Sequence, residues 1–217
     1  MSESSQKVAA VTFTDDADVT DLEKVRSKKK NLAEERGFKL TYLPFIIKAV
    51  VAGLERISLP ECDLGRREGR DHFEKILQHR DCGRHAGRAD GLRHQKERTR
   101  RASSIFRKRS PSLTEKAFSR VIDLSDLKGG TFTLTNYGVI GGIYGTPIIN
   151  YPEVGILGLG KIEDKVVARS GEMVIRKILP LSLTFDHRVI YGAEAARFMN
   201  TVIQHLEDPD LMLIEGK

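Results

Sequence analysis

The 217-residue sequence predicts one mixed α/β domain with long strands, and three observations carry that reading. Stretches at both ends of the chain alternate apolar and polar side chains at the period of a strand, and segments patterned as helices stand between them. Glycine and proline punctuate the connections. The length is ample to bury a core, and no internal repeat of fixed period is present.

Residues 8–19, VAAVTFTDDADV, alternate around Val11, Thr12 and Phe13 and predict a strand entering an acidic turn. Thr20 is then expected to cap a helix over TDLEKVRSKKKNLAEERG, with Leu22, Val25 and Leu32 on one face, acids in the first turn and Gly37 as its stop. The next segment, LPFIIKAVVAGLERI, is apolar nearly all round, which predicts a buried helix ending before Pro60. From 62 to about 120 neither periodicity nor aliphatic content suffices for a core element. Order returns at Val121. VIDLSDLKGG supplies a polar turn, TFTLTNYG a strand, and GVIGGIYGTPIINYPEVGILGLG apolar strands on either side of 150–153. EMVIRKILPLSLTFDHRVI is a long alternating stretch ending in a polar cluster, and GAEAARFMNTVIQHLEDP is an amphipathic helix stopped by Pro209.

Composition narrows the function classes. No stretch approaches the ~18–20 apolar residues of a membrane span, and the N-terminus has no apolar core of a secretory signal. Two cysteines, Cys62 and Cys82, are too few for a disulfide framework, so the expected compartment is the cytoplasm. The net charge of +6 is confined to one block: residues 62–109 hold 12 Arg and 3 Lys against 7 acids, with both cysteines and four of the six histidines. Taken at face value this block is a nucleic-acid-binding insert, in which arginines neutralise phosphates and His79, Cys82 and His85 bind a metal. Against that reading, its aromatics are only Phe73 and Phe106, and it has no paired CxxC. The expectation is therefore no nucleic acid, no membrane and no metal.

The chemistry-bearing residues stand where the apolar strand LPLSLTF runs into Asp186, His187 and Arg188, with Tyr191 and Gly192 at the start of the next helix. A histidine delivered by a rigid strand suits proton transfer, because it titrates near neutrality and packing fixes its position. The plainer alternative is a histidine that caps the helix or lies on the surface.

At these residues the sequence resembles the dihydrolipoamide acyltransferases of the 2-oxoacid dehydrogenase complexes, whose catalytic domain shares the chloramphenicol acetyltransferase fold, a two-layer sandwich with a mixed β-sheet. DHRVIYGAEAARF is similar to the family's DHRxxDG signature. GGTFTLTNYGVIGG, GTPIINYPEVGILGLGKI and LPLSLTFDHRV resemble its central strands, and FTDDADVTDLEKVR with KLTYLPFIIKAVVAGL its early helices. The likeness covers residues 1–61 and 121–217. It implies that His187 takes the proton from a thiol of coenzyme A or of dihydrolipoamide, both substrates, the lipoyl group being presented by a separate domain. A base is useful there, since a thiol of pKa ~8.5 is only a few per cent ionised at pH 7. By family register Thr135 holds the oxyanion formed on the thioester carbonyl, and its plainer alternative is an ordinary β-branched strand residue. The resemblance also implies a homotrimer in which His187 of one subunit faces Thr135 of the next, a larger cubic or icosahedral core, and the E1 and E3 components and the lipoyl domain as partners. Asp186, Arg188, Tyr191 and Gly192 are the motif's supporting residues.

Three departures from the family pattern are visible. Tyr191 stands where the signature has Asp or sometimes Asn; in the resemblance that acid is mainly structural and orients an arginine, and a tyrosine carries no charge at neutral pH. The basic block stands where the family has a channel-lining strand of the type IGIAVDTPxGL. Degenerate codons for 71–91, read one base later, admit IILKKYYNIGIAVDTPDGLMV, so the segment from 62 to a point before 121 reads as out of frame, and its arginine, histidine and cysteine content as a by-product. Finally, residues 1–217 read as one catalytic domain without lipoyl or subunit-binding domains, with Met1 inside the domain, just after its expected first helix. An inactive acyltransferase-like scaffold is the alternative that these departures leave open.

Overall fold

The computed structural model describes residues 2–37, 39–56, 77–79 and 132–214. Along the chain come α1 (Ser2–Lys7), β1 (Ala10–Asp18), α2 (Thr20–Glu35), α3 (Leu43–Arg56), β2 (Leu77–His79), β3 (Phe132–Asn136), a 3₁₀ turn (Gly138–Ile140), β4 (Gly155–Leu159), β5 (Glu163–Arg169), β6 (Glu172–Asp186), α4 (Gly192–Glu207) and α5 (Leu211–Ile214). The sheet order is β1-β6-β4-β3-β2, with β5 hairpinned onto the first half of β6. β6 pairs antiparallel with β1, β4 and β5, whereas β3 runs parallel to both β4 and β2. This is the expected mixed sheet.

β6 is the spine because its sequence serves two faces. Leu179, Leu181, Leu183 and Phe185 alternate toward a core completed by Ile46, Ile47 and Val50 of α3 and Phe198, Val202 and Leu206 of α4, which together form the helical layer. The intervening Ser182 and Thr184 are fully buried polar residues, and each has a partner: Thr184 Oγ1 meets Thr12 Oγ1 at 2.7 Å, and Ser182 Oγ accepts from the Tyr137 hydroxyl at 2.8 Å. Aromatic contacts tie the layers, with Phe13 edge-on to Phe185 at 5.3 Å and Phe132 tilted against Phe198 at 5.5 Å.

Several sequence expectations hold and others need correction. The strand at 8–19, the long strand to Asp186 and the helix before Pro209 are present as β1, β6 and α4. Gly37 follows α2 at φ +76°, the left-handed conformation that suits glycine at a helix end. Thr20, however, is the first residue of α2 and not its cap; Val19 holds the cap position. The Thr20 hydroxyl donates to Asp18 Oδ1 at 2.6 Å and accepts from the Lys177 main chain at 2.8 Å, so tertiary bonds claim it. Leu32 is exposed and Ala33 is buried in its stead. The apolar stretch before 150 forms no strand: after the 3₁₀ turn, 142–150 is irregular, since Pro147 lacks an amide donor and Gly141 sits at φ +97°. Within the basic block, expected to hold no core element, Leu77–His79 forms an edge strand on β3, which backbone pairing alone allows without any side-chain pattern. The rest of that block, with Cys62, Cys82 and His85, lies outside the described residues, as does the turn expected at 121–130.

A polar cluster fastens α2 to the start of α3. Glu23 accepts from Arg26 Nε at 2.7 Å and Nη2 at 2.8 Å and from Ser27 Oγ at 2.8 Å, and the Tyr42 hydroxyl also donates to it. These bonds, Arg26 foremost, hold the Glu23 carboxyl down at about 2, against an ordinary 4.5. Burial and the neighbouring carboxylate push Tyr42 up to about 12. Because the Glu23 value is depressed on folding, its stabilisation is complete above about pH 4.5 and is lost as pH falls toward 2. Acid titration of the fold is expected to lose a step of stability across that window in the native chain, and to lose less of it in Glu23→Gln, as read by thermal unfolding at successive pH values.

Candidate active site

Asp186 ends β6 and is 1% exposed, while the next residue, His187, turns out to solvent. Main-chain bonds fix this turn from both sides. Asp186 N donates to Val154 O at 3.0 Å and His187 N to Ala9 O at 2.9 Å, while Val189 N and Ile190 N donate to Asp186 O at 3.0 and 2.9 Å. The Asp186 carboxylate takes the Arg188 amide at 3.1 Å and its guanidinium at 2.9 Å (Nε) and 2.5 Å (Nη2). Burial pushes the Asp186 carboxyl up, but the hydrogen bonds and charge of Arg188 outweigh it and leave the group below the usual carboxylate range. The arginine of the motif is therefore oriented by Asp186, and the uncharged residue at 191 does not leave it without a carboxylate.

Tyr191 precedes α4, where its amide donates to Glu194 Oε2 at 3.0 Å and its carbonyl accepts from Glu194 N and Ala195 N. Its side chain is 67% exposed and meets the His187 ring at 6.5 Å, with the planes at 87°. On the other side, Phe185 lies 5.8 Å from the imidazole at 37°. Gly192 opens the helix, and a Cβ there would touch only Phe13, at 3.7 Å. His187 caps no helix.

Thr135 lies elsewhere. It sits on β3 opposite Gly158 of β4, which in turn faces Ser182 of β6. His187 lies five positions beyond Ser182, just past the end of β6, and strand spacing puts it on the order of 15–20 Å from Thr135 within one chain. The structure thus gathers Asp186, His187, Arg188, Tyr191 and Gly192 at one end of the sheet and holds Thr135 apart from them.

The Thr135 end has supports that the sequence reading did not single out. The Tyr137 ring covers Gly158, where a Cβ would stand 2.6 Å from its Cε1, and Gly145 N donates to Ser182 Oγ at 3.3 Å. Burial pushes the Tyr137 phenol up, opposed by its bond to Ser182. Gly158 inside an apolar strand was the legible sign of such a close approach. Beside β3, the buried Glu153 carboxylate accepts from the Thr133 hydroxyl and from Asn150 Nδ2 at 3.0 Å. Among the described residues no helix is long and apolar enough to cross a membrane, and no group of three or more His, Cys, Asp and Glu side chains forms a metal-binding cluster.

The sequence model of the 2-oxoacid dehydrogenases acyltransferase catalytic domain matches residues 1–72 and 98–214. The chain belongs to this acyltransferase family. Within it, the chain is 36% identical over 216 residues to the dihydrolipoyllysine-residue acetyltransferase component of the pyruvate dehydrogenase complex of Acholeplasma laidlawii, a match covering 99% of this chain and 39% of that protein. A second such component, from Bacillus subtilis, is 36% identical over 95% of this chain and 46% of its own length. The chain thus spans about two fifths to one half of the curated relatives it matches. Among solved structures, the dihydrolipoamide acetyltransferase of Azotobacter vinelandii, for which the catalytic roles of a serine, a histidine and an asparagine were investigated, superposes with a TM-score of 0.80 at 34% identity, covering 98% of this chain and 87% of that one. Chloramphenicol acetyltransferase shares the fold, at a TM-score of 0.52 and 14% identity over 92% of this chain and 89% of that one. The acyltransferase fold expected from the motifs is the fold observed.

Proposed function

We propose that this acyltransferase domain moves an acyl group between the dihydrolipoyl group of a lipoyl domain and coenzyme A, within a 2-oxoacid dehydrogenase complex, and that His187 and Thr135 do the chemistry. The observation that carries the reading is His187 itself, an exposed imidazole on a turn whose backbone is fixed by β1, β4 and the Asp186–Arg188 pair. Spacing supports both assignments: in the Azotobacter vinelandii enzyme the investigated serine and asparagine stand 52 positions before and four after the histidine, and Thr135 and Tyr191 stand at those same intervals from His187.

In the forward direction His187 accepts the proton of the coenzyme A thiol. The thiolate attacks the carbonyl carbon of the acyl-dihydrolipoyl thioester, and the Thr135 hydroxyl donates to the resulting oxyanion. Collapse of the tetrahedral adduct breaks the bond to the lipoyl sulfur, which leaves as a thiolate and recovers the proton from His187. The separation of the two residues within one chain supports a site shared between two copies, as in the trimer that the family resemblance implies. A solved relative that is a cubic core, 33% identical at a TM-score of 0.80, supports a larger assembly of such trimers, with E1 and E3 as partners of the whole complex.

Thr135→Ala is expected to lower kcat by about 10²–10³, the range for losing one oxyanion donor, while Thr135→Ser keeps most of the rate. Transfer between acetyl-coenzyme A and dihydrolipoamide is the assay. An alanine variant as fast as the parent would remove Thr135 from the mechanism.

The stretch from 62 to a point before 121 belongs to the same proposal as one read out of frame. The family match leaves out 73–97, and most of the shifted run over 71–91 falls inside that gap. The gene sequence across codons 60–121 is expected to carry a compensating pair of one-base shifts that restores the IGIAVDTP strand. An uninterrupted frame there would refute it.

A further inference from the structure

We propose that Tyr191 is a positioning residue for His187, its ring holding the imidazole in one rotamer at the mouth of the site. The inference rests on His187 being the base of the proposed transfer. A general base must keep its orientation while it takes up and returns a proton, and in most such sites a polar third group provides that hold. Here, among the described residues, no side chain hydrogen-bonds to the His187 ring nitrogens; its ring contacts are aromatic.

Phe185 supplies the floor. It is 1% exposed and locked in the sheet between Val11 of β1 and Gly155 of β4, so it cannot follow the imidazole if the latter swings outward. Tyr191 supplies the wall, perpendicular to the imidazole at 6.5 Å. Its backbone is held where it precedes α4, because the Glu194 side chain takes its amide while its carbonyl accepts the first bonds of the helix. The turn joining β6 to α4 thus fixes the point from which the phenol reaches the imidazole. Both centroid distances fall within the range of interacting aromatic pairs.

The residue type matters as much as the contact. A carboxylate at 191 has no ring to set against the imidazole, whereas the phenol offers an edge-on aromatic contact, and its exposure leaves the approach to the imidazole open on the solvent side.

The test uses the intact assembled protein with Tyr191→Phe and Tyr191→Ala. Two readouts are taken: kcat and KM for transfer between acetyl-coenzyme A and dihydrolipoamide, and the rate at which diethyl pyrocarbonate carbethoxylates His187, followed by peptide mass. The phenylalanine variant is expected to stay within about twofold of the parent in both. The alanine variant is expected to lose about 10- to 100-fold in kcat with KM within about twofold, the cost of a misplaced reacting group, and to be carbethoxylated severalfold faster. Equal kcat losses in both variants would assign the effect to the hydroxyl and overturn the proposal. An unchanged carbethoxylation rate in Tyr191→Ala would overturn it whatever the turnover. A parent protein without transfer activity, whose His187 nonetheless becomes more reactive in Tyr191→Ala and not in Tyr191→Phe, would overturn the acyltransferase reading and support the ring contact.

Discussion

His187→Ala is expected to reduce kcat for acyl transfer by about 10²–10⁴, the contribution of a positioned general base, and to leave the fold intact. Both halves of this expectation come from the same turn. The side chain is exposed, and among the described residues its ring contacts are Phe185 and Tyr191, so its removal opens no buried cavity there. The bonds that shape the turn use the main chain and the Asp186–Arg188 pair, all of which survive the substitution. Transfer kinetics together with the melting temperature measure the two effects separately. A variant that kept its rate would remove proton transfer by His187 from the mechanism, and one that unfolded would make the residue structural.

The largest stability effect is expected from glycines far from that turn. A Cβ on Gly138 would stand 2.2 Å from the carbonyl oxygen of Gly160, and one on Gly160 would stand 2.0 Å from that of Ile143. Both obstacles are backbone, so neither can rotate away. The loop over 138–150 crosses the end of β4 at this point, fastened by Tyr137 N to Leu159 O at 3.1 Å and Lys161 N to Gly142 O at 2.8 Å. Gly138→Ala and Gly160→Ala are each expected to cost about 3 kcal/mol or more, lowering the melting temperature by roughly 6–12 °C in a chain of this size. Gly192→Ala is the natural comparison, since its Cβ would find ordinary contact with Phe13, and its melting temperature should stay near that of the parent. A Gly160→Ala protein as stable as the parent would contradict the close crossing.

What the sequence disclosed follows from the range of the forces involved. β1, α2, α3, β6 and α4 carry their periods in their own residues, because each buries one face against a neighbour. β5 went unpredicted because it is weakly patterned, an exposed hairpin arm with Val166 facing solvent; Ser170 and Gly171, both at positive φ, form its turn. The apolar residues of 138–150 suggested strands, yet Val139, Ile140 and Ile148 are exposed and glycines govern that backbone. His187 could be found because a strand leads directly to it. That Thr135 lies at the far end of the sheet could not be found the same way, because it depends on the registers of β3 with β4 and of β4 with β6, which are non-local pairings. Nor could Asp186 be seen as the holder of Arg188 until the turn was in place.

The register that separates Thr135 from His187 also bears on inheritance. In the proposed arrangement each site draws its base from one chain and its oxyanion donor from the next, so a lesion at codon 135 would weaken the site of a neighbour's imidazole and leave the lesioned chain's own imidazole able to work with an undamaged partner. In a cell expressing two alleles, damage is therefore shared out across the assembly. A chain defective at 135 and a chain defective at 187, each slow alone, would together contain every part of a working site.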